Sequence, residues 1–361
     1  MSDAIFPLEI LEKIAEAADD DYSTQAQMCL VSRALFTFTQ PRLYHSFNSV
    51  LVYSPSGFES YLNRICQSTH LAKLVNSFCV VSMNKDLPRA VSTALLSMPN
   101  LKDLTLIVQQ TATPNNPYHD IWRDLFQATD IPFQLEALRL HMRVDRFPSD
   151  RFQGFESMSL AIFLRTQKAL HTLHCFHQTA LIGRRDLPNL RRVVIDPSNW
   201  EYILTGRSIE LLSLDANLRE AEPVVKKRIT PGSPIATSLG SVKRLRIDAE
   251  VMEKCNLSFY LRSLEFLIST NFNDTKHRSL ISLLPKIKVV VIRNPKGSAQ
   301  KRKATADWLL ANVNSLTDVV YSAPLNAANK REYICERYRR GVKTPETMGD
   351  FLDYQELVGY E

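Results

Sequence analysis

The sequence predicts an α/β chain in which a small helical module at the N-terminus is followed by a body of repeated strand-and-helix units. Three observations predict it. The first forty-five or so residues carry apolar groups at helical spacing, in greater quantity than so short a segment can bury. From residue 47 onward, a short extended pattern with apolar residues at positions 1, 4 and 6 recurs along the chain. Segments of helical periodicity lie between many of its copies.

Composition sets the limits. A chain of 361 residues with a hydrophobic share of 45% and a charged share of 23% has the makeup of a soluble, ordered protein. Glycine is scarce at 10 residues, which argues against a glycine-rich cofactor loop or a flexible linker. No apolar run approaches the roughly 20 residues that cross a bilayer, and the start, MSDAIFPLEILEK, lacks the basic region of a signal peptide. The six cysteines are scattered without paired spacing, which suits a reducing compartment, cytoplasmic and/or nuclear, where they act as small hydrophobes. The net charge of +6 gathers into KKR at 226–228, KRK at 301–303 and RYRR at 337–340, which read first as solvated faces and otherwise as an import signal or anion patch.

The first helix is expected to start at Pro7, with Asp3 or nearby backbone as its cap and Glu9 and Glu12 favouring its positive end. With Leu8 at 0°, residues Ile10, Leu11, Ile14, Ala15, Ala17 and Ala18 cover about half the cylinder. A single contact needs a stripe of about 100°. DDDYS at 19–23 breaks this helix and offers an Asp or Ser cap to the next. The stretch from Met28 to Phe38, wound as one helix, is apolar on nearly every side, and Pro41 is expected to end it. Either the rest of the chain or a second protein must cover this surface.

Three short segments, FPLEILEKI at 6–14, LVSRAL at 30–35 and QPRLYHSF at 40–47, together resemble an F-box of the form common in fungal proteins. Phe6 stands where leucine is usual, and Leu35 where many F-boxes have tryptophan. The resemblance implies a three-helix module over residues 1–46 that docks on a small Skp-type adaptor, the bridge to a cullin–RING ubiquitin ligase of the SCF type. Carried over residue by residue, it implies adaptor contacts by Pro7, Leu8, Ile10, Leu11 and Ile14 on the first helix. Leu30, Val31, Ser32 and Leu35 would follow, with Leu43 nearby.

The repeated pattern appears as NLKDLTL (100–106), QLEALRL (134–140), ALHTLHC (169–175), NLRRVVI (189–195) and SIELLSL (208–214). It continues as SVKRLRI (241–247), YLRSLEF (260–266), KIKVVVI (286–292) and SLTDVVY (315–321), with weaker copies at FNSVLV (47–52) and VNSFCV (75–80). First apolar positions run from 47 to 316 and average about 27 residues apart, inside the range of leucine-rich repeats. Helices are expected at 61–72, 120–128, 156–167, 279–285 and 306–313. Stacked units of this kind give an irregular leucine-rich-repeat solenoid over residues 47–325, with parallel strands on the concave face and helices on the convex one. Residues 329–341, NKREYICERYRRG, are expected to form a capping helix within a C-terminal segment 326–361.

No phosphate loop, nucleophile elbow or helical HExxH pattern appears, and no catalytic, metal or cofactor site is expected. The histidine-rich HTLHCFHQ at 171–178 is the nearest candidate for zinc, but lacks a second ligand pair. Binding is expected instead on strand positions that point away from the core. Arg139, His141, His174, Phe176 and Arg192 are the first such residues. Asp215, Arg244, Arg246, Asp248, Glu265 and Arg293 continue the series. The expected function is therefore that of a non-catalytic substrate receptor, holding an unknown protein target beside the ligase. Two alternatives remain: an adaptor-bound scaffold without ligase activity, and a basic solenoid binding nucleic acid or acidic membrane. The lack of aromatics near KKR and KRK counts against the second alternative.

Overall fold

The computed structural model describes residues 6–19, 21–48, 55–82, 88–110, 130–144, 155–175, 182–183, 185–195, 200–214, 229–273, 275–293, 295, 298–324, 333–342 and 346–349. The fold is mixed α/β, with a mostly parallel sheet, and divides into two compact units, Met1–Leu170 and His171–Glu361. The first unit opens with three helices, α1 (Leu8–Ala17), α2 (Tyr22–Val31) and α3 (Arg33–His45). β1 (Ser46–Asn48), α4 (Pro55–Gln67), α5 (Thr69–Leu74), β2 (Ser77–Ser82), α6 (Pro88–Leu96), β3 (Asp103–Gln110), β4 (Ala137–Val144) and α7 (Phe155–Thr166) follow. Its four strands run parallel, each paired with the next.

The second unit begins with β5 (Thr172–Cys175), β6 (Arg192–Ile195), α8 (Trp200–Leu204), β7 (Leu211–Leu214), α9 (Pro234–Leu239), β8 (Arg244–Asp248) and α10 (Ala249–Lys254). A 3-10 turn at Leu257–Phe259 leads to β9 (Phe266–Thr270), α11 (Arg278–Ser282), β10 (Val289–Arg293) and α12 (Ala299–Asn312). The unit closes with β11 (Asp318–Pro324), β12 (Tyr333–Arg339) and β13 (Glu346–Gly349). Strands β5 to β11 are parallel, and β12 and β13 are antiparallel additions.

The pairing register explains the sequence pattern. Position 4 of each copy forms one row across neighbouring strands: Phe78, Leu104 and Leu138 in the first unit, and Leu173, Val193, Leu212, Leu245, Leu267, Val290 and Val319 in the second. All of them are buried. Two copies sit differently from the sequence reading. Phe47 pairs with Phe78, so it is a position 4, and position 1 of that copy falls on Tyr44. Phe266 pairs with Arg244 and Val289, so the copy at 260–266 begins at Leu264 rather than Leu261. Leu261, Leu264 and Leu267 are spaced by three, and Ser269 occupies position 6, so the 1-4-6 template fitted the earlier register better.

Each strand is entered by the same backbone step. The N–H of Lys243 donates to the Glu210 carbonyl at 2.9 Å, Glu265 to Lys243 at 2.8 Å, and Lys288 to Glu265 at 2.8 Å. The side chains along this row alternate in sign, with Lys243–Glu210 at 3.6 Å and Lys288–Glu265 at 2.8 Å. Lys102 and Glu136 repeat the arrangement in the first unit at 2.9 Å. Such exposed pairs are individually weak, but side-by-side charges of opposite sign favour this neighbour order over like-charged ones.

Two features depart from expectation. Residues 333–339 form strand β12, not part of a capping helix. Cys335 and Tyr338 are both buried. On the strand they take opposite faces: Tyr338 packs edge-on against Tyr321 at 5.8 Å, while Cys335 joins an apolar cluster on the other face. The cap at this end is thus an antiparallel pair of strands. Residues 329–332 and the helix expected at 120–128 lie outside the described residues.

The second departure is that cluster. Leu211, Ile268, Val291, Val320 and Cys335, with Phe266 and Val289 packed against them, occupy the face opposite the position-4 row and are buried. Over β9 to β11 the sheet of the second unit is therefore covered on both faces, as parallel sheets commonly are. The run VVVI at 289–292 carried this information as continuous rather than alternating apolarity. Replacing Ile268 by alanine should cost about 2–5 kcal/mol in equilibrium urea unfolding, the cost of a core position. A solvated face would give a change within about 0.5 kcal/mol.

Candidate functional site

The N-terminal helices are built around small residues. Pro7 occupies the N-cap of α1, and the helix begins one residue later than the sequence suggests. With Leu8 at 0°, Leu11, Ala15 and Ala18 fall at about 300°, 340° and 280° and turn inward. Ile10 and Ile14, at about 200° and 240°, form a second strip that remains exposed. The apolar half-cylinder is thus divided: one part holds the module together and the other faces outward.

The turn after α1 is capped as DDDYS predicts. Asp21 Oδ1 accepts the backbone N–H groups of Ser23 and Thr24 at 2.9 and 3.1 Å, and its Oδ2 accepts the Thr24 hydroxyl at 2.6 Å. These bonds, those from Thr24 first, hold the Asp21 carboxyl below its ordinary pKa. Gln25 donates from its amide to the carbonyls of Ala18 and Asp19, closing the C-terminal end of α1.

The stretch from Met28 to Phe38 is not one helix. Ser32 adopts an extended conformation (φ −155°, ψ 157°), ends α2 and caps α3 by accepting the Leu35 N–H at 3.1 Å. Pro41 does not terminate α3 but lies inside it, and the helix runs on to His45. The break changes which apolar groups meet. Met28 packs with Ala15 and Ala18, and Leu35 and Phe38 lean on that cluster half-buried. Leu30 and Val31 are left outside at 87% and 73% exposure, as are Phe36 and, on the first helix, Leu8.

The three helices are fixed to one another and to the sheet by polar contacts. The Arg42 guanidinium donates to Asp19 at 2.7 and 2.9 Å and to Glu16 at 3.3 Å, tying α3 to the end of α1. The Tyr22 hydroxyl donates to the Ser46 carbonyl at 3.0 Å, which covers the open edge of β1. A cavity of about 550 Å³ lies beside this network, lined by residues including Glu12, Phe38 and Arg42. A second, of about 210 Å³, lies between Leu43, Tyr44, Phe47 and Tyr61.

Of the expected adaptor contacts, Pro7, Leu8, Ile10, Ile14, Leu30, Val31 and Ser32 are exposed, although the Ser32 hydroxyl is engaged as a cap. Leu11 is buried. Leu35 and Leu43 are half-buried, Leu35 within the module's own core. Phe6 and Phe36 are exposed large apolar groups absent from the expected set.

The expected target-binding residues divide differently. Arg192 and Arg244 are exposed, Arg246 is half-buried, and Arg139 is engaged by Asp103 at 2.6 and 2.8 Å. His174, Asp248 and Arg293 are buried and do not form an open surface. Asp248 caps α10 through the Glu250 N–H at 2.9 Å and accepts from Asn271 at 2.5 Å. Glu265 precedes its strand and pairs with Lys288 instead of standing on the sheet face. The side chain of His141, and Phe176 and Asp215 altogether, lie outside the described residues.

The zinc candidate at 171–178 places His171 exposed and His174 and Cys175 buried on β5. Among the described residues, no three His, Cys, Asp or Glu side chains gather as metal ligands would, and no helix is long and apolar enough to cross a membrane. Two basic clusters are largely taken up in ion pairs: Arg302 with Glu336 at 2.7 Å, Lys303 with Asp307 at 2.7 Å, and Arg337 and Arg339 with Asp318 at 2.6 and 3.3 Å. Burial raises the Asp318 pKa, but the hydrogen bonds from Arg337 and Thr317 outweigh it and hold the carboxyl below its ordinary value. Arg340 donates to the Leu316 and Val313 carbonyls. KKR at 226–228 lies outside the described residues.

Comparison with known proteins identifies no relative: no protein-family model matches the chain, and no curated protein matches it. The division of α1 into inner and outer strips predicts unequal costs. Leu11→Ala should lower stability by about 2–4 kcal/mol, and Ile10→Ala should change it by less than about 0.5 kcal/mol, both measured by urea unfolding followed by circular dichroism.

Proposed function

We propose that the chain is the substrate-recognition subunit of an SCF-type cullin–RING ubiquitin ligase, with an F-box-like module over its first three helices and a leucine-rich-repeat solenoid as its body. In this reading the module clips to a Skp-type adaptor by burying apolar helix surface, and the body holds a protein target. The chain catalyses nothing itself; it raises the target's concentration beside the conjugating enzyme. It works in the cytoplasm or nucleus.

The observation that carries the reading is the set of large apolar side chains left exposed on α1 and α2. Leu8, Ile10, Leu30 and Val31 are large apolar side chains left at 44–87% exposure, outside the core of Ala15, Ala18 and Met28. Their placement coincides with the residues that the F-box resemblance assigns to the adaptor. Burying a Leu or Val side chain contributes roughly 1.5–3 kcal/mol, which favours association at this surface against its entropic cost. The repeat register within β1 to β4 and within β5 to β11 supports the solenoid. For the target, Arg192 and Arg244 of the second unit are exposed and Arg246 is half-buried. The ion pairs at 302–303 and 337–339 weigh against a basic nucleic-acid surface.

The test is capture of the purified Skp-type adaptor by the full chain. Leu8→Asp combined with Val31→Asp should lower adaptor affinity at least a hundredfold while leaving the circular dichroism spectrum unchanged, since both side chains lie outside the core. Undiminished capture by the double variant removes the reading. Co-purification of adaptor without cullin would favour a scaffold outside the ligase.

A further inference from the structure

The segment joining β9 to α11 is folded around one buried imidazole. His277 is 1% exposed and stands at the N-cap of α11. Its Nδ1 accepts the Asn273 N–H at 2.9 Å, so that nitrogen carries no proton. Its ring lies edge-on to Phe272 at 5.6 Å. Asn273 closes the segment further: its backbone carbonyl accepts the His277 N–H at 2.9 Å, and its side-chain oxygen accepts the N–H groups of Thr275 and Lys276 at 3.1 Å. Upstream, Asn271 adopts a left-handed conformation at φ 51° and is anchored to Asp248. Among the described residues, the charged groups facing the imidazole are Glu253 and Glu250 of α10 and Lys276 of the segment itself. Glu253 Oε2 stands 3.5 Å from His277 Nε2 and 2.6 Å from Lys276 Nζ.

We propose that this segment is an acid-sensitive latch, held closed by neutral His277 and opened when the imidazole takes up a proton from solvent. The incoming proton must go to Nδ1, the nitrogen already filled by the Asn273 N–H. The closed form therefore loses that hydrogen bond or excludes the proton. Glu253 would stabilise the charged ring, but Lys276 already engages the same carboxylate oxygen. Burial is the largest effect and pushes the His277 pKa below its ordinary value. The closed state thus binds the proton more weakly than the open one. Its extra stability is fully present above the open-state pKa of about 6.5 and is lost as pH falls from there toward the closed-state pKa. Within that window each pH unit favours opening by up to about tenfold, and opening uncovers Phe272, which is otherwise buried.

Amide hydrogen exchange on the full chain at pH 7.5 and 5.5, corrected for intrinsic chemical rates, tests the latch. Protection of residues 271–282 should fall, by at most about tenfold, while β8 and β10 keep theirs. His277→Asn retains a side-chain acceptor for the Asn273 N–H and cannot titrate in this range, so its protection should not change with pH. The ring pKa of the unsubstituted chain, followed by NMR, should lie below 6.5. Unchanged protection, an equal loss in the asparagine variant, loss shared by all strands, or a ring pKa at or above 6.5 would each overturn the proposal.

Discussion

A parallel strand cannot complete itself. Its backbone donors and acceptors point sideways along both edges, and its position-4 side chain is covered only when a neighbour sets its own beside it. The protein is organised by this requirement. Phe78 needs Leu104, Leu104 needs Leu138, and in the second unit the row runs from Leu173 to Val319. Wherever the row stops, something of a different kind must be supplied. At β1 it is the Tyr22 hydroxyl on the Ser46 carbonyl; past β11 it is an antiparallel pair of strands that uses the last parallel edge and turns back.

The N-terminal helices obey a different economy. Their interior is set by Leu11, Ala15, Ala18 and Met28, with Leu35 and Phe38 packed against it half-buried. Arg42, Gln25 and the Asp21 and Ser32 caps fix the geometry with polar bonds. Rigidity therefore does not depend on burying Leu8, Ile10, Leu30 or Val31. A surface that is apolar yet structurally dispensable is well suited to docking, because association can bury it without unmaking the fold.

Much of this was legible in the sequence, for identifiable reasons. Spacing by 1, 4 and 6 reports a strand whose alternate side chains enter a core, and the position-4 row appears where that spacing puts it, save for the offsets at Phe47 and Phe266. The DDDYS turn was readable because Asp caps act locally. The break at Ser32 was less so, since a serine between two apolar runs looks like a solvent-facing helical residue until its hydroxyl is seen on the Leu35 N–H. Strand β12 was misread because Ile334 and Tyr338 are four apart, an interval that one face of a helix and one side of a strand share. His174, Asp248 and Arg293 were misplaced because alternation tells which face a side chain takes, but not whether that face meets water.

The charged row at the strand entrances bears on how such a body can change length. Glu210, Lys243, Glu265 and Lys288 stand side by side with alternating sign. Excising the single module that contains β8 would set Glu210 against Glu265, two carboxylates as immediate neighbours, whereas excising β8 and β9 together would leave Glu210 facing Lys288. Gain or loss of modules in twos keeps the polarity of the seam intact, and gain or loss of one does not. This stretch of the chain thus carries a parity rule, written in four surface side chains, that acts on rearrangement rather than on folding.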